Sequence, residues 1–209
     1  TPIQLTIDRL KSKYSNQLSE KDKSNFKENL KIINNQIKQI EKLVNEFSDF
    51  ARMPKPIFQK NNLAELIIEN IKLLQELDTS INIKFQSNLP IIYLESDKEQ
   101  LSRVFLNLIK NSIESIQQHA QNDNNTNKTI DIELNDHDDH INLTIIDTGI
   151  GFENLKSNIK DIVNPYFTTK KNGTGLGLSI VNKIINDHNG NIEFIPINNG
   201  AKIKIIFKR

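Results

Sequence analysis

The chain has 209 residues, 36% hydrophobic and 25% charged, the balance of a soluble globular protein with material for one large domain or two modest ones. Its 27 basic and 26 acidic residues leave a net charge of +1, so no overall field favours a polyanion, and nucleic acid is not an expected partner. The absence of cysteine excludes disulfides and thiolate metal sites and agrees with a reducing compartment, and no apolar run approaches the roughly 20 residues of a membrane helix.

Residues 1–51 carry a heptad signal. Ile3, Ile7, Leu10 and Tyr14 are spaced 4, 3 and 4, and Phe26, Leu30, Ile33, Ile37, Ile40, Val44, Phe47 and Ala51 continue the alternation. A repeat of 3.5 residues is what supercoiling helices require. Between the two runs, Ser19-Glu20-Lys21-Asp22 sets a Ser three residues before an acid and can cap a second helix. The segment predicts a helical hairpin that pairs with a second copy into a dimeric four-helix bundle; a hairpin packed on the rest of its own chain is the alternative. Met53-Pro54-Lys55-Pro56 ends the second helix, because proline lacks an N–H and disfavours helical geometry just before it. The predicted domains are therefore 1–53 and 54–209.

Beyond the prolines the pattern mixes both periods. It predicts helices over about 63–77, 97–119 and 176–188, and strands near 81–85, 91–94, 129–134, 141–147, 191–195 and 201–207, with a polar loop over 121–128. The class is α+β, with a layer of helices on one sheet. Ser96-Asp97-Lys98-Glu99 reads as a capping box opening the second of these helices.

Within that helix Leu101, Val104, Phe105, Leu108 and Ser112 form the buried stripe, while Asn107, Asn111 and Glu114 share another face. Two amides and a carboxylate there suit a hard cation that travels with phosphates, such as Mg2+, although asparagine on a helix is more often a solvated surface residue. Ile145-Ile146-Asp147-Thr148-Gly149-Ile150-Gly151 sets an acid at the end of a buried strand, where it can accept from the exocyclic amine of adenine while glycines admit the ring. Gly173-Thr174-Gly175-Leu176-Gly177-Leu178 runs into a helix N-terminus, which offers N–H groups and a positive dipole end to phosphate. Neither cluster has P-loop or dinucleotide-fingerprint spacing. Between them, Asn164-Pro165-Tyr166-Phe167-Thr168-Thr169-Lys170-Lys171 reads as a lid, its aromatics folding back on the core and Lys170 or Lys171 reaching phosphate; an ordinary exposed loop is the alternative.

In order, these segments resemble the histidine kinase branch of the ATPases that also includes gyrase, the MutL repair proteins and the ninety-kilodalton heat-shock chaperones. Asn107-Leu108-Ile109-Lys110-Asn111-Ser112 looks like the N box, Asp147–Gly151 like the first glycine box, Pro165–Lys170 like the F box and Gly173–Leu178 like the second glycine box. Glu46–Pro54 also looks like the end of the dimerisation hairpin in NtrY-type nitrogen-sensor kinases. The resemblance implies a helical hairpin followed by an α/β sandwich of the GHKL (Bergerat) type that binds ATP with Mg2+.

It implies Asn111 as the Mg2+ ligand, Asn107 as its support and Asp147 as the adenine acceptor. Nucleotide contacts are implied along Asn107, Lys110 and Asn111, at Gly149 and Gly151, at Phe167, Thr168 and Lys170, and at Gly173, Thr174, Gly175, Leu176 and Gly177. Thr1-Pro2-Ile3-Gln4-Leu5 looks like the tail of the family's H box, so the phosphoacceptor histidine is expected upstream of Thr1. His119, His137, His140 and His188 are expected on the surface. The implied partners are a second copy and a response regulator, the implied setting the cytoplasmic portion of an inner-membrane-anchored kinase, touching the membrane only through upstream segments. A clamp-type ATPase of the same group would want a carboxylate where Asn107 stands; an adaptor that has lost the chemistry is the other alternative.

Overall fold

The computed structural model describes residues 2–14, 19–76, 78–122, 127–152, 159–170 and 173–209. Two compact units emerge: the described residues of Thr1–Met53 with those of Lys170–Thr174, and those of Pro54–Thr169 with Gly175–Arg209.

The first unit is built on α1 (Pro2–Tyr14) and α2 (Glu20–Ala51). The α2 N-terminus is capped as its sequence predicts: the Ser19 hydroxyl accepts from the Asp22 N–H at 3.3 Å. Its last turn closes with the Arg52 N–H on the Ser48 carbonyl, two residues before Pro54. Ile7 of α1 is buried against Leu30 and Ile37 of α2, with Phe26 packed beside them. The heptad seam is thus divided. Ile7, Leu30 and Ile37 close one helix on the other, while Ile3, Leu10, Ile33, Ile40, Val44 and Phe47 remain exposed.

The second unit opens with β1 (Gln59–Asn62), α3 (Leu63–Gln75), β2 (Asn82–Ser87), β3 (Tyr93–Ser96) and α4 (Lys98–Asn122). It continues with β4 (Thr129–Asp136), β5 (His140–Asp147), a 3-10 turn (Ile159–Val163), α5 (Gly177–Asp187), β6 (Gly190–Ile197) and β7 (Gly200–Lys208). β1 and β3 form a small antiparallel pair, and the main sheet runs β2-β4-β5-β7-β6, parallel only between β2 and β4. Alternation along β4, β5 and β7 sends Ile130, Ile132, Leu134, Ile141, Leu143, Ile145, Ile203, Ile205 and Phe207 to one buried face. The apolar stripes of α4 (Leu101, Val104, Phe105, Leu108) and α5 (Ile180, Val181, Ile184, Ile185) supply the other half of the core, giving the expected two layers. No described helix is long and apolar enough to cross a membrane.

The α4 cap differs from expectation. Ser96 is fully buried and donates to the Leu94 carbonyl, whereas Asp97 accepts from the Gln100 N–H at 3.0 Å and its carbonyl receives Leu101 N–H. The capping residue is Asp97. His188 is a second correction: at 4% exposure it is a core residue. Its Nε2 accepts the Asp97 N–H at 3.0 Å, which fixes the tautomer with Nδ1 donating to the Ile184 carbonyl at 2.8 Å. Phe58 packs edge-on against the ring.

Candidate functional site

The site is built where β5 ends against α4. Asp147, the last residue of β5, is 4% exposed. Its Oδ2 accepts from the Ser112 hydroxyl at 2.9 Å and its Oδ1 from the Gly149 N–H at 2.9 Å, so the carboxylate plane is set from the helix on one side and its own turn on the other. Burial of a carboxylate is costly unless such donors compensate it. Ser112 belongs to the buried stripe of α4, which is how a helix hydroxyl reaches the end of a strand.

The turn after Asp147 is held as closely. A Cβ added at Gly149 would fall on the Ser115 side chain, and the Ser115 hydroxyl accepts the Ile150 N–H at 3.1 Å. Gly151 adopts φ 65°, and a Cβ there would strike the Gly200 carbonyl; a Cβ at Gly200 would strike the carbonyl of Asp147. The β6–β7 turn thus seats directly on the Asp147 segment. His119 of α4 meets the Thr148 carbonyl at 3.1 Å and is half-buried rather than on the surface.

On α4, Asn107 and Asn111 are half-buried, as is Glu114, while Lys110 between them is exposed. Asn107 donates from Nδ2 to the Arg103 carbonyl at 2.9 Å, which leaves its Oδ1 against the Gly177 backbone, where an added Cβ would lie 3.4 Å from it. That contact brings the α5 N-terminus beside the asparagine face of α4. The α5 N-cap is Leu176, which has no side-chain capping bond. Helix N-termini of this kind favour anionic ligands.

The lid segment is less uniform. Phe167 is half-buried, but Tyr166 is 58% exposed and takes φ 69°, so it does not fold back on the core as expected. Its N–H donates to the Gly175 carbonyl at 3.0 Å. Thr168 is exposed, and Lys171 lies outside the described residues. Lys170, Gly173 and Thr174 group with the helical unit, where the Thr174 hydroxyl donates to Glu46. Contacts in the sheet unit tie Asp147 to Gly149, Gly151 to the β6–β7 turn beside Asp147, Asn107 to Gly177, and Gly175 to Tyr166. Ser112, Ser115 and Gly200 join them unforeseen. For Ser112 the signal was available, since a hydroxyl on a buried helical stripe needs a partner; Ser115 and Gly200 carry none without the fold.

Among the described residues no cluster of three or more His, Cys, Asp or Glu side chains could hold a metal ion alone. An amide oxygen such as that of Asn111 is the kind of hard donor that Mg2+ accepts beside ligand phosphates.

Residues 96–209 match the family described as histidine kinase-, DNA gyrase B- and HSP90-like ATPases. Nitrogen regulation protein NtrY of Azorhizobium caulinodans is 33% identical over 100% of this chain and 27% of its own length. A Rickettsia felis protein described as an NtrY-like sensor histidine kinase is 34% identical over 91% of this chain and 30% of its own length, so the chain spans under a third of both relatives. Among solved structures, histidine kinase ThkA in complex with response regulator TrrA aligns over 100% of this chain and 57% of that one, with a TM-score of 0.71 and 26% identity. The chain belongs to the histidine kinase-, DNA gyrase B- and HSP90-like ATPase family and carries a histidine kinase catalytic domain.

Proposed function

We propose that residues 54–209 bind Mg-ATP and present its γ-phosphoryl group to a histidine on a dimerisation hairpin of the kind formed by residues 1–53, for onward transfer to an aspartate of a response regulator. The observation that carries the nucleotide reading is the buried Asp147 carboxylate, locked by Ser112 and Gly149 at the end of β5. It is the acceptor an adenine amine needs, and the adjoining glycines let its turn pack closely against α4 and the β6–β7 turn. Asn111 supplies an oxygen for Mg2+, which would neutralise phosphate charge, and the α5 N-terminus with Gly175 and Gly177 faces the phosphates. The family pattern assigns Lys110, Phe167, Thr168, Lys170, Gly173 and Thr174 to the same nucleotide. Phosphoryl transfer rests on positioning and charge neutralisation more than on covalent chemistry from the protein, and these are the groups it needs.

A response regulator as partner is supported by the ThkA–TrrA complex. A second copy is supported by the exposed half of the heptad seam. Likeness to NtrY-type sensors supports a place in the cytoplasmic portion of a membrane-anchored kinase. The clamp-ATPase reading is disfavoured by Asn107, whose amide bonds the Arg103 carbonyl where a water-activating carboxylate would be wanted. Titration with ATP, with and without Mg2+, tests the core of the proposal. Mg2+-dependent binding in the micromolar to millimolar range usual for enzyme substrates is expected; no binding at millimolar ATP would remove it.

A further inference from the structure

Ser112 and Ser115 stand three residues apart on α4, on neighbouring positions of one helical face. They touch the two ends of a single turn: Ser112 donates to the Asp147 carboxylate at 2.9 Å, and Ser115 accepts the Ile150 N–H at 3.1 Å. Between those ends Gly149 lies so close to Ser115 that no side chain fits. We propose that Ser115 is a positioning residue for purine recognition, acting with Ser112 as a two-point clamp that sets the Asp147–Ile150 turn, and hence the direction of the Asp147 carboxylate, before nucleotide arrives. The inference rests on the reading of Asp147 as the adenine acceptor and deepens it.

The two points act on different parts of the same turn. Ser112 holds the carboxylate directly at Oδ2, while Oδ1 is met by the Gly149 N–H. Ser115, three residues along the same helix, holds the next N–H of that turn, that of Ile150, and so fixes the backbone that carries the Gly149 donor. Holding a recognition group in its productive geometry lowers the ordering cost at the moment of binding. A clamp of this kind acts on the 6-amino group and not on the phosphates, so its loss should be read in the base and not in the triphosphate.

The test compares ATP with inosine triphosphate, which carries a carbonyl in place of the 6-amino group. Affinities of the full chain are measured for wild type, Ser115→Ala, Ser112→Ala and Asp147→Asn, with melting curves to confirm folding; Ser115→Cys replaces Ser115→Ala should the latter fail to fold. Loss of one neutral hydrogen bond predicts about three- to tenfold weaker ATP binding for Ser115→Ala, with inosine triphosphate changed less than about twofold. Ser112→Ala should move the same ratio in the same direction, and Asp147→Asn should move it furthest. A wild-type ratio in Ser115→Ala, beside a collapsed ratio in Asp147→Asn, would overturn the clamp and leave the adenine reading standing. Parallel loss of both nucleotides in Ser115→Ala would make the serine a general structural prop and also overturn it. An unchanged ratio in Asp147→Asn would remove the adenine reading and the clamp with it.

Discussion

The main-chain N–H of Asp97 donates to Nε2 of His188 at 3.0 Å, tying the start of α4 to the end of α5 across 91 residues of sequence. The Asp97 side chain works outward from the same point, with Oδ1 on the Gln100 N–H and Oδ2 on the Ile57 N–H at 2.8 Å. One residue thus caps α4 and straps down the segment that enters β1. Asp97→Ala should destabilise the chain by about 1 to 2 kcal/mol, the range for a lost helix cap, read by denaturant unfolding.

That loss should depend on pH. Burial alone would raise the Asp97 carboxyl, but backbone N–H donors from Gln100, Ile57 and Glu99 outweigh it and hold it below the ordinary aspartate range. A carboxyl depressed in the folded state contributes stability above its unfolded-state pKa and loses it as pH falls through the folded-state value. The gap between wild type and Asp97→Ala should be full near neutrality and narrow below about pH 4. A gap independent of pH would mean that the carboxylate charge plays no part.

Asp147→Ala should weaken ATP binding by roughly 5- to 150-fold, because a buried acceptor is lost and the Ser112 hydroxyl and Gly149 N–H are left without it, a cost of about 1 to 3 kcal/mol. Calorimetric titration of both forms checks it, and equal affinities would take Asp147 out of the adenine role. Asn111→Ala should act differently, flattening the Mg2+ dependence more than it lowers affinity, since it removes an oxygen from the cation's shell.

What is legible in the sequence follows the range over which each signal acts. The stripe of α4 and the alternation of β4 and β5 are local periodicities, and the helices and strands fall where those patterns place them. β1 is Gln-Lys-Asn-Asn, with no apolar residue to announce a strand; it exists because β3 offers a ladder and Lys60 lies over the Tyr93 ring at 4.3 Å. Ser96 and Asp97 are equally good caps when read locally, and the choice is made by His188, 91 residues away. In the site, Asp147 and its glycines form one continuous motif, whereas Ser115 on a helix and Gly200 in a hairpin turn look ordinary until the sheet brings them to that motif.

Gly200 yields the sharpest backbone prediction. It sits at φ 144°, where L side chains are rarely found, and its missing Cβ is the space occupied by the Asp147 carbonyl. Gly200→Ala should cost about 1 to 3 kcal/mol of stability and weaken ATP binding through the displaced Asp147 segment. The preceding Asn199 has φ 59°, and Asn199→Gly should leave both unchanged. Thermal melting with ATP titration of the two variants separates a general intolerance of this turn from the specific contact with Asp147.

The divided seam of the hairpin makes the last prediction. Ile7, Leu30 and Ile37 are spent within one copy, while Ile33, Ile40, Val44 and Phe47 are 45 to 59% exposed along α2 at heptad spacing. A stripe of that length in water is unfavourable by about 25 cal/mol for each Å² of apolar surface left exposed. A second copy, carrying the same stripe, can cover it by the isologous packing of a two-fold dimer. Sedimentation at several concentrations should show a dimer whose dissociation follows mass action. Ile40→Glu with Phe47→Glu should give a monomer with unchanged helix content and unchanged ATP affinity, because neither side chain is part of the intramolecular Ile7–Leu30–Ile37 cluster. A double variant that stays dimeric would move the interface off this seam, and one that loses helix content would show that these residues support the hairpin itself.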